Sequence, residues 1–464
     1  MYKIKCVEKV RDKNNNIIGY KLINENGKVT SVKSDELKKA IKSGQIEVIN
    51  LTLTSDNRLI DKKLATVSKF HSSNMENLLN KLKSIGYTII NTFDTACGHK
   101  CYIASLPSNT RHIFIIPDDV KYIYNENVNS ENKDMMLHPL CYYFINLRGE
   151  LKVMGGSGLR SARFLFFYCS ANSIDLSSFD TSKVENMQGM FYDSLTYSID
   201  ISSLDTSKVT DMKEMFCGCE VQSLDLKSFN TSKVTDMNSM FLSCKAQSLD
   251  LRSFNTSNVK DMRAMFCGCG VHSLDLSSFN TSNVTDMSRM FLDCKVQSLD
   301  LRSFNTSKVT NMNAMFNGCE AQSIVLSSFD TSKVTDMEGM FAVCETQSLD
   351  LTSFDTRNVT NMEIMFSSCG AQSIDLRSFN TSKVESMLGM FQLCRVHSLD
   401  LSSFNTSKVK NMGKMFNECK AQSIDLRSFN TSKVTDMNDM FSNCKAQINV
   451  TDPKLKHQLQ CDRK

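Results

Sequence analysis

From Ser173 to Gln447 the hydrophobic positions recur every 25 residues, eleven times without insertion. Within each unit the spacing changes character. In Ile174-Asp175-Leu176 apolar and polar side chains alternate, which puts two apolar groups on one face of a short strand. Val184, Met187, Met190 and Phe191 then follow at intervals of three, three and one, the spacing of a helical face. Between them, F-[DN]-T-S supplies turn residues, with Thr181 and Ser182 as candidate N-caps. The pattern predicts an α/β repeat solenoid with one short strand and one short helical segment per coil. A single coil cannot bury its apolar edge, so successive coils must stack and bring equivalent residues into columns. At about 4.8 Å per strand the array would be roughly 50 Å long. All four prolines (Pro107, Pro117, Pro139 and Pro453) lie outside it, as expected if each strand donates to a ladder.

The flanks read differently. Residues 1–62 form a small α+β module, with strands near Tyr2 to Val10 and Ile17 to Ile23, then a helix from Ser34 that stops at Gly44. Further strands follow near Glu47 to Thr52 and Arg58 to Ile60. Residues 63–150 form a second α+β segment, with a helix near Asn74 to Ile85 closed by Gly86 and strands near Tyr87 to Phe93, Cys101 to Leu106 and His112 to Ile116. Residues 151–172 make a degenerate capping half-repeat, in which Phe166 and Cys169 fall on columns of the array extended upstream; 173–447 are the solenoid, and 448–464 a C-terminal cap and tail.

The unit L-D-L-S-S-F-[DN]-T-S-x-V-x-x-M-x-x-M-F-x-x-C resembles the 25- or 26-residue repeat of BspA-like leucine-rich repeat bacterial surface proteins. The resemblance spans 173–447, and every copy keeps its Val, both Met and the Phe. It implies an open leucine-rich-repeat-like solenoid with a role in adhesion or protein binding, and it implies no catalytic residues.

Charge is nearly balanced, with 54 Lys and Arg against 50 Asp and Glu, which gives no footprint for nucleic acid. No apolar run approaches a membrane span, and the first residues lack the apolar core of a secretory signal. These two features favour a cytoplasmic location, whereas the family resemblance favours the cell surface or secretion. Nothing in the sequence fixes an oligomeric state.

Candidate chemistry is sparse. Cys97-Gly98-His99-Lys100-Cys101, with His112, His138 and Cys141 elsewhere, has zinc-ligand residue types but not the usual C-x-x-C spacing, so a hairpin tip with free cysteines is the favoured reading. Cys219, Cys244, Cys269, Cys294, Cys319, Cys344, Cys369, Cys394, Cys419 and Cys444, with Cys169 upstream, form one column and read as buried thiols. The paired methionines of each coil read as core rather than as copper(I) ligands. An Asp column from Asp175 to Asp425, interrupted by Val325, reads as a solvated strip partly paired with basic residues two positions on; calcium is the alternative reading. No phosphate loop, nucleophile elbow or metalloprotease motif is present. The reading is therefore a non-enzymatic scaffold for a protein partner, without a cofactor. The alternatives are a surface-adhesion element and, less favoured, a metal or enzymatic site within 63–150. Specificity is expected where coils differ. The strand face offers Lys227, Arg252, His272, Arg302, Val325, Arg377, His397 and Arg427; the opposite, helical side offers Lys213, Glu214, Arg263, Arg289, Glu338, Glu363 and Lys414. The first set is preferred, because its basic residues stand against the Asp column.

Overall fold

The computed structural model describes residues 2–11, 17–24, 29–42, 46–48, 51–53, 59–61, 75–108, 110–124 and 139–463. They divide into two compact units, the first made of residues 1–162, 168–183 and 195–204, the second of 163–167, 184–194 and 205–464.

In the first unit, β1 (Tyr2–Arg11), β2 (Ile17–Asn24), β3 (Val29–Lys33) and β4 (Ile46–Val48) form a sheet ordered β3-β2-β1-β4, with β4 parallel to β1. The strand β3 was not expected from V-T-S-V-K. Helix α1 (Ser34–Lys42) carries Asp35 and Glu36 in its first turn and Lys39 and Lys42 in its last, which complements the helix dipole at both ends. β5 (Leu51–Leu53) and β6 (Leu59–Asp61) pair as an antiparallel hairpin.

A second sheet has six strands, ordered β12-β11-β10-β9-β8-β7: β7 (Thr88–Asp94), β8 (Lys100–Ser105), β9 (Arg111–Ile116), β10 (Glu150–Gly155), β11 (Ser173–Phe179) and β12 (Ser198–Asp200). It is antiparallel from β7 to β9 and parallel from β9 to β12, so one sheet runs continuously across residue 150. Helix α2 (Met75–Ser84) lays Leu78 and Leu82 against Tyr87, Ala104, Ile113, Ile115 and Met154. It stops before Gly86, whose φ of +92° is open to a residue without Cβ. α3 (Pro139–Ile145), also unexpected, buries Leu140, Cys141 and Phe144 ahead of β10.

The second unit is a stack of 25-residue coils. Strand segments of two or three residues pair in parallel with no change of register: β13 (Ser298–Asp300) with β14 (Ser323–Val325), β15 (Ser348–Leu349) with β16 (Ser373–Ile374), and β17 (Ser398–Leu399) with β18 (Ser423–Asp425) and β19 (Gln447–Asn449). A second ladder of parallel bridges links Asn186, Asp211, Asp236, Asp261, Asp286 and Asn311 coil to coil and continues to Asp436. Between the ladders Val, Met and Phe are buried, except that Met437 of the last coil is half-buried. Twelve rings, Phe166 to Phe441, form a continuous stack with neighbouring centroids 5.4–6.0 Å apart.

The expected helical segment is not a helix. Along Met212–Cys219 alternate N–H groups leave the coil: Met212, Glu214, Phe216 and Gly218 donate to the carbonyls of Asp236, Asn238, Met240 and Leu242. The intervening Met215, Cys217 and Cys219 close tight turns onto Met212, Glu214 and Phe216. The equivalents of Glu214, from Gly189 to Asp439, all have φ between 48° and 59°. Such left-handed residues break the helical twist, and half of the donors a helix would use internally join the coils instead. The array is thus a β-solenoid of chained turns, in which the expected strand shortens, over residues 223–297, to a single bridge, Leu224 to Leu249, or is absent.

Polar columns complete the stack. In one coil, Asp225, Asn230 and Asp236 each accept the N–H two residues on through Oδ1, at 3.3, 3.1 and 2.9 Å, so three Asx turns shape its corners. Thr231, fully buried, donates its hydroxyl to the Asn255 carbonyl at 2.9 Å and accepts the Asn255 N–H at 2.8 Å. Its equivalents from Thr206 to Thr406 do the same to the next coil.

After the last coil, α4 (Pro453–Asp462) takes the place of a further one. Asp452 caps its N-terminus and accepts from Thr431 at 2.8 Å, Asp462 accepts the Phe441 N–H at 2.8 Å, and Arg463 donates to the Ala446 carbonyl at 2.6 Å. The Thr431 hydroxyl and the Phe441 N–H, whose equivalents bond to the following coil, are thereby satisfied.

Candidate functional site

On the strand face Arg252, Arg302, Arg377 and Arg427 each lay a guanidinium fork on the aspartate two residues before, with Nε to Oδ1 at 2.8–3.0 Å and Nη2 to Oδ2 at 2.5–2.7 Å. The arginine side chains remain 68–74 % exposed. These hydrogen bonds hold the carboxyls of Asp250, Asp300 and Asp375 down to about 2. Each fork is closed within its own coil, and two hydrogen bonds leave the other guanidinium donors turned to solvent. Lys227 reaches Asp225 through its backbone N–H. His272 and His397 are exposed, His397 one residue before a strand, and both lie in a ladder of backbone bonds with glutamines: Gln297 donates to His272, and His397 to Gln372. Val325 sits half-buried in β14, at the position the aspartates occupy elsewhere.

The other outward face is made of turns, not of a helix side as expected. Its residues change from coil to coil, and they line a groove of about 560 Å³ over seven coils, from Lys213 to Ile364. Arg263 and Arg289 project from it, Arg263 pairing with Asp261 at 3.0 Å. Glu338 and Glu363 are half-buried and accept from Asn361 and Ser386 of the following coil. Beneath this face runs a second acidic column, unnoticed in the sequence, of Asp211, Asp236, Asp261 and Asp286. Burial raises the Asp236 carboxyl, opposed by the Asn238 N–H and reinforced by Asp261 and Asp211 on either side.

The column cysteines from Cys219 to Cys444 are buried free thiols. Burial pushes Cys269, Cys319, Cys369 and Cys419 up to about 11, which keeps them protonated and inert.

In the first unit the sequence-predicted cluster does not converge. Cys97 lies in the β7–β8 turn beside Thr95 Oγ1 at 3.2 Å, His99 pairs with Asp119 at 2.9 Å, and Cys101 is buried in β8 with its thiol pushed up by burial. Cys141 is buried in α3, and His138 lies outside the described residues. Among the described residues no three His, Cys, Asp or Glu side chains meet as a metal site. His112 borders a cavity of about 670 Å³ lined also by Ile90, Phe93 and Tyr142. Its Nε2 lies 3.1 Å from the Arg148 carbonyl and its Nδ1 2.9 Å from the Tyr143 hydroxyl, so the Nε2–H tautomer satisfies both and occupies both nitrogens. No helix among the described residues is long and apolar enough to cross a membrane.

A family model described as "Mycoplasma protein of unknown function, DUF285" matches residues 160–272, 243–354, 266–377 and 344–452. The overlapping matches follow the tandem coils and together cover more than half of the chain. No curated protein and no solved structure matches.

Proposed function

Because the chain belongs to the DUF285 family, whose description carries no activity, we propose from the geometry that the solenoid is a non-enzymatic scaffold that binds another protein through its strand face. The observation that carries this reading is the set of exposed arginine forks held at one repeat position of the stacked coils. A rigid surface that repeats a guanidinium edge suits an extended partner segment rich in carboxylates or carbonyls. Changing Arg252, Arg302 and Arg377 together to Glu is expected to abolish affinity capture of that partner. The melting transition should hardly move, since exposed ion pairs contribute little to stability. Capture that survives this triple change, and is lost only on altering the turn face, overturns the strand-face assignment.

A second reading, adhesion at a bacterial surface, rests on the BspA-like form of the repeat. Surface labelling of intact cells of the native organism discriminates the two: a protected chain rules out adhesion.

A further inference from the structure

The turn face carries a charge pattern that reverses about its own middle. Counted in coils from Asn313 and Ala314, Arg289 stands one coil before and Glu338 one coil after; Arg263 stands two before and Glu363 two after. The cations project, and the two carboxylates are recessed with no cation against either among the described residues. Small residues lie between them: Ala264, Ala314 and Gly339 line the same groove. A surface with long cationic arms on one half and recessed anionic seats at mirrored distances on the other is complementary to itself turned end for end.

We propose that the turn face is the interface of a homodimer. Two copies pack antiparallel about a twofold axis that lies in the plane of contact at the level of Asn313 and Ala314. Rotation about such an axis reverses the coil order and preserves the lateral position within the coil, so Arg263 of each copy meets Glu363 of the other, and Arg289 lies opposite Gly339, one residue from Glu338. Every contact occurs twice, as an isologous interface requires. The overlap from Arg263 to Glu363 is about 20 Å at 4.8 Å per coil. The interface is thus narrow and led by charge, and its association is weak and sensitive to salt.

The test is sedimentation velocity of the full chain, from micromolar to hundreds of micromolar concentration, in low and high salt. Wild type is expected to dimerise reversibly in low salt and to dissociate in high salt. Arg263→Glu should weaken association at least ~10-fold, because like charges then face each other at both symmetric positions. Adding Glu363→Arg to it should restore the dimer, since the swap rebuilds both contacts. The pair Arg289→Glu with Glu338→Arg is an independent swap should either first variant fail to fold. The strand-face triple variant should dimerise like wild type, which separates this proposal from the one above. A wild type that stays monomeric throughout, a folded single variant that associates unchanged, or a folded swap that does not recover overturns the proposal.

Discussion

On the strand face Asp250, Asp300 and Asp375 are each gripped by the arginine two residues on, Asp300 exposed and the other two half-buried. On the turn face Asp211, Asp236, Asp261 and Asp286 follow one another half-buried, with carboxylate neighbours in the adjacent coils. Both columns shape corners in the same way, by accepting the N–H two residues on. They differ in how charge is balanced. On the strand face a guanidinium answers the carboxylate in the coils of Arg252, Arg302, Arg377 and Arg427, and a hydroxyl does so at Asp275, Asp350 and Asp400. On the turn face Arg263 pairs with Asp261, while Asp236 keeps a carboxylate on either side, at about 1 kcal/mol per neighbour in water. Elsewhere in that column Asn186, Asn311, Asn361, Ser386 and Asn411 interrupt the charge, and the four asparagines keep the corner.

The deepest cut tests what both faces share. Phe291 lies fully buried between Phe266 and Phe316, with centroids at 5.8 and 5.7 Å. Phe291→Ala is expected to cost about 3–5 kcal/mol in denaturant unfolding, because the cavity sits between two rigid neighbours. It should also loosen hydrogen-exchange protection on both faces alike; loss on one face alone would show that the faces do not share a core.

A smaller effect is expected at the seam between the faces. Thr281→Val removes the hydroxyl that bonds both the carbonyl and the N–H of Asn305, at 2.9 and 2.8 Å, and leaves them facing a methyl group. The expected loss is about 1–3 kcal/mol, with Thr281→Ser retaining most of the stability. Equal losses for Val and Ser would mean that packing, not the bridge, matters there.

The smallest change sharpens the contrast in charge. Asp236→Asn keeps the corner and removes the central carboxylate, and is expected to stabilise the fold at neutral pH. The gain is about 0.5 kcal/mol once screening of a half-exposed group is allowed for. The sign follows from the raised carboxyl: protonation is favoured in the folded chain, so wild type loses stability as pH rises through that raised value. The advantage of Asn should therefore shrink as pH falls through the ordinary carboxylate range. Asp250→Asn on the strand face should show the opposite: its carboxyl is held low, so stability present above the ordinary range is lost as pH falls. Melting curves for both variants across acidic and neutral pH check the pair.

The coil length, its strand and its buried columns were legible because Val, Met and Phe recur in every copy, and repeat spacing reports burial directly. The turn segment was misread because intervals of three and three fit chained tight turns as well as a helix. The residues that decide between them are mostly not glycine: Glu214, Ala264, Arg289, Ile364 and Lys414 all hold the left-handed conformation. The aspartates were read as charge, whereas their first task is to accept a backbone N–H. The threonine bridges were missed although a signal was present, since Thr occupies that position in every coil while its neighbours vary. Strand β10 and helix α3 were hidden because their partners are remote in sequence.

The strict 25-residue register has a consequence for inheritance. Because each coil bonds to its successor through equivalent atoms, one coil's worth of codons can be duplicated or lost by recombination and the seam closes on identical partners. The array can change length without a change of fold, provided that the terminal helix still finds a last coil to cover. The charge reversal around Asn313 is less forgiving, since a coil gained between Arg263 and Glu363 would put that pair out of step with a copy of the old length. Coils gained or lost outside that interval would leave the match intact, so the array is free to vary in length everywhere but there.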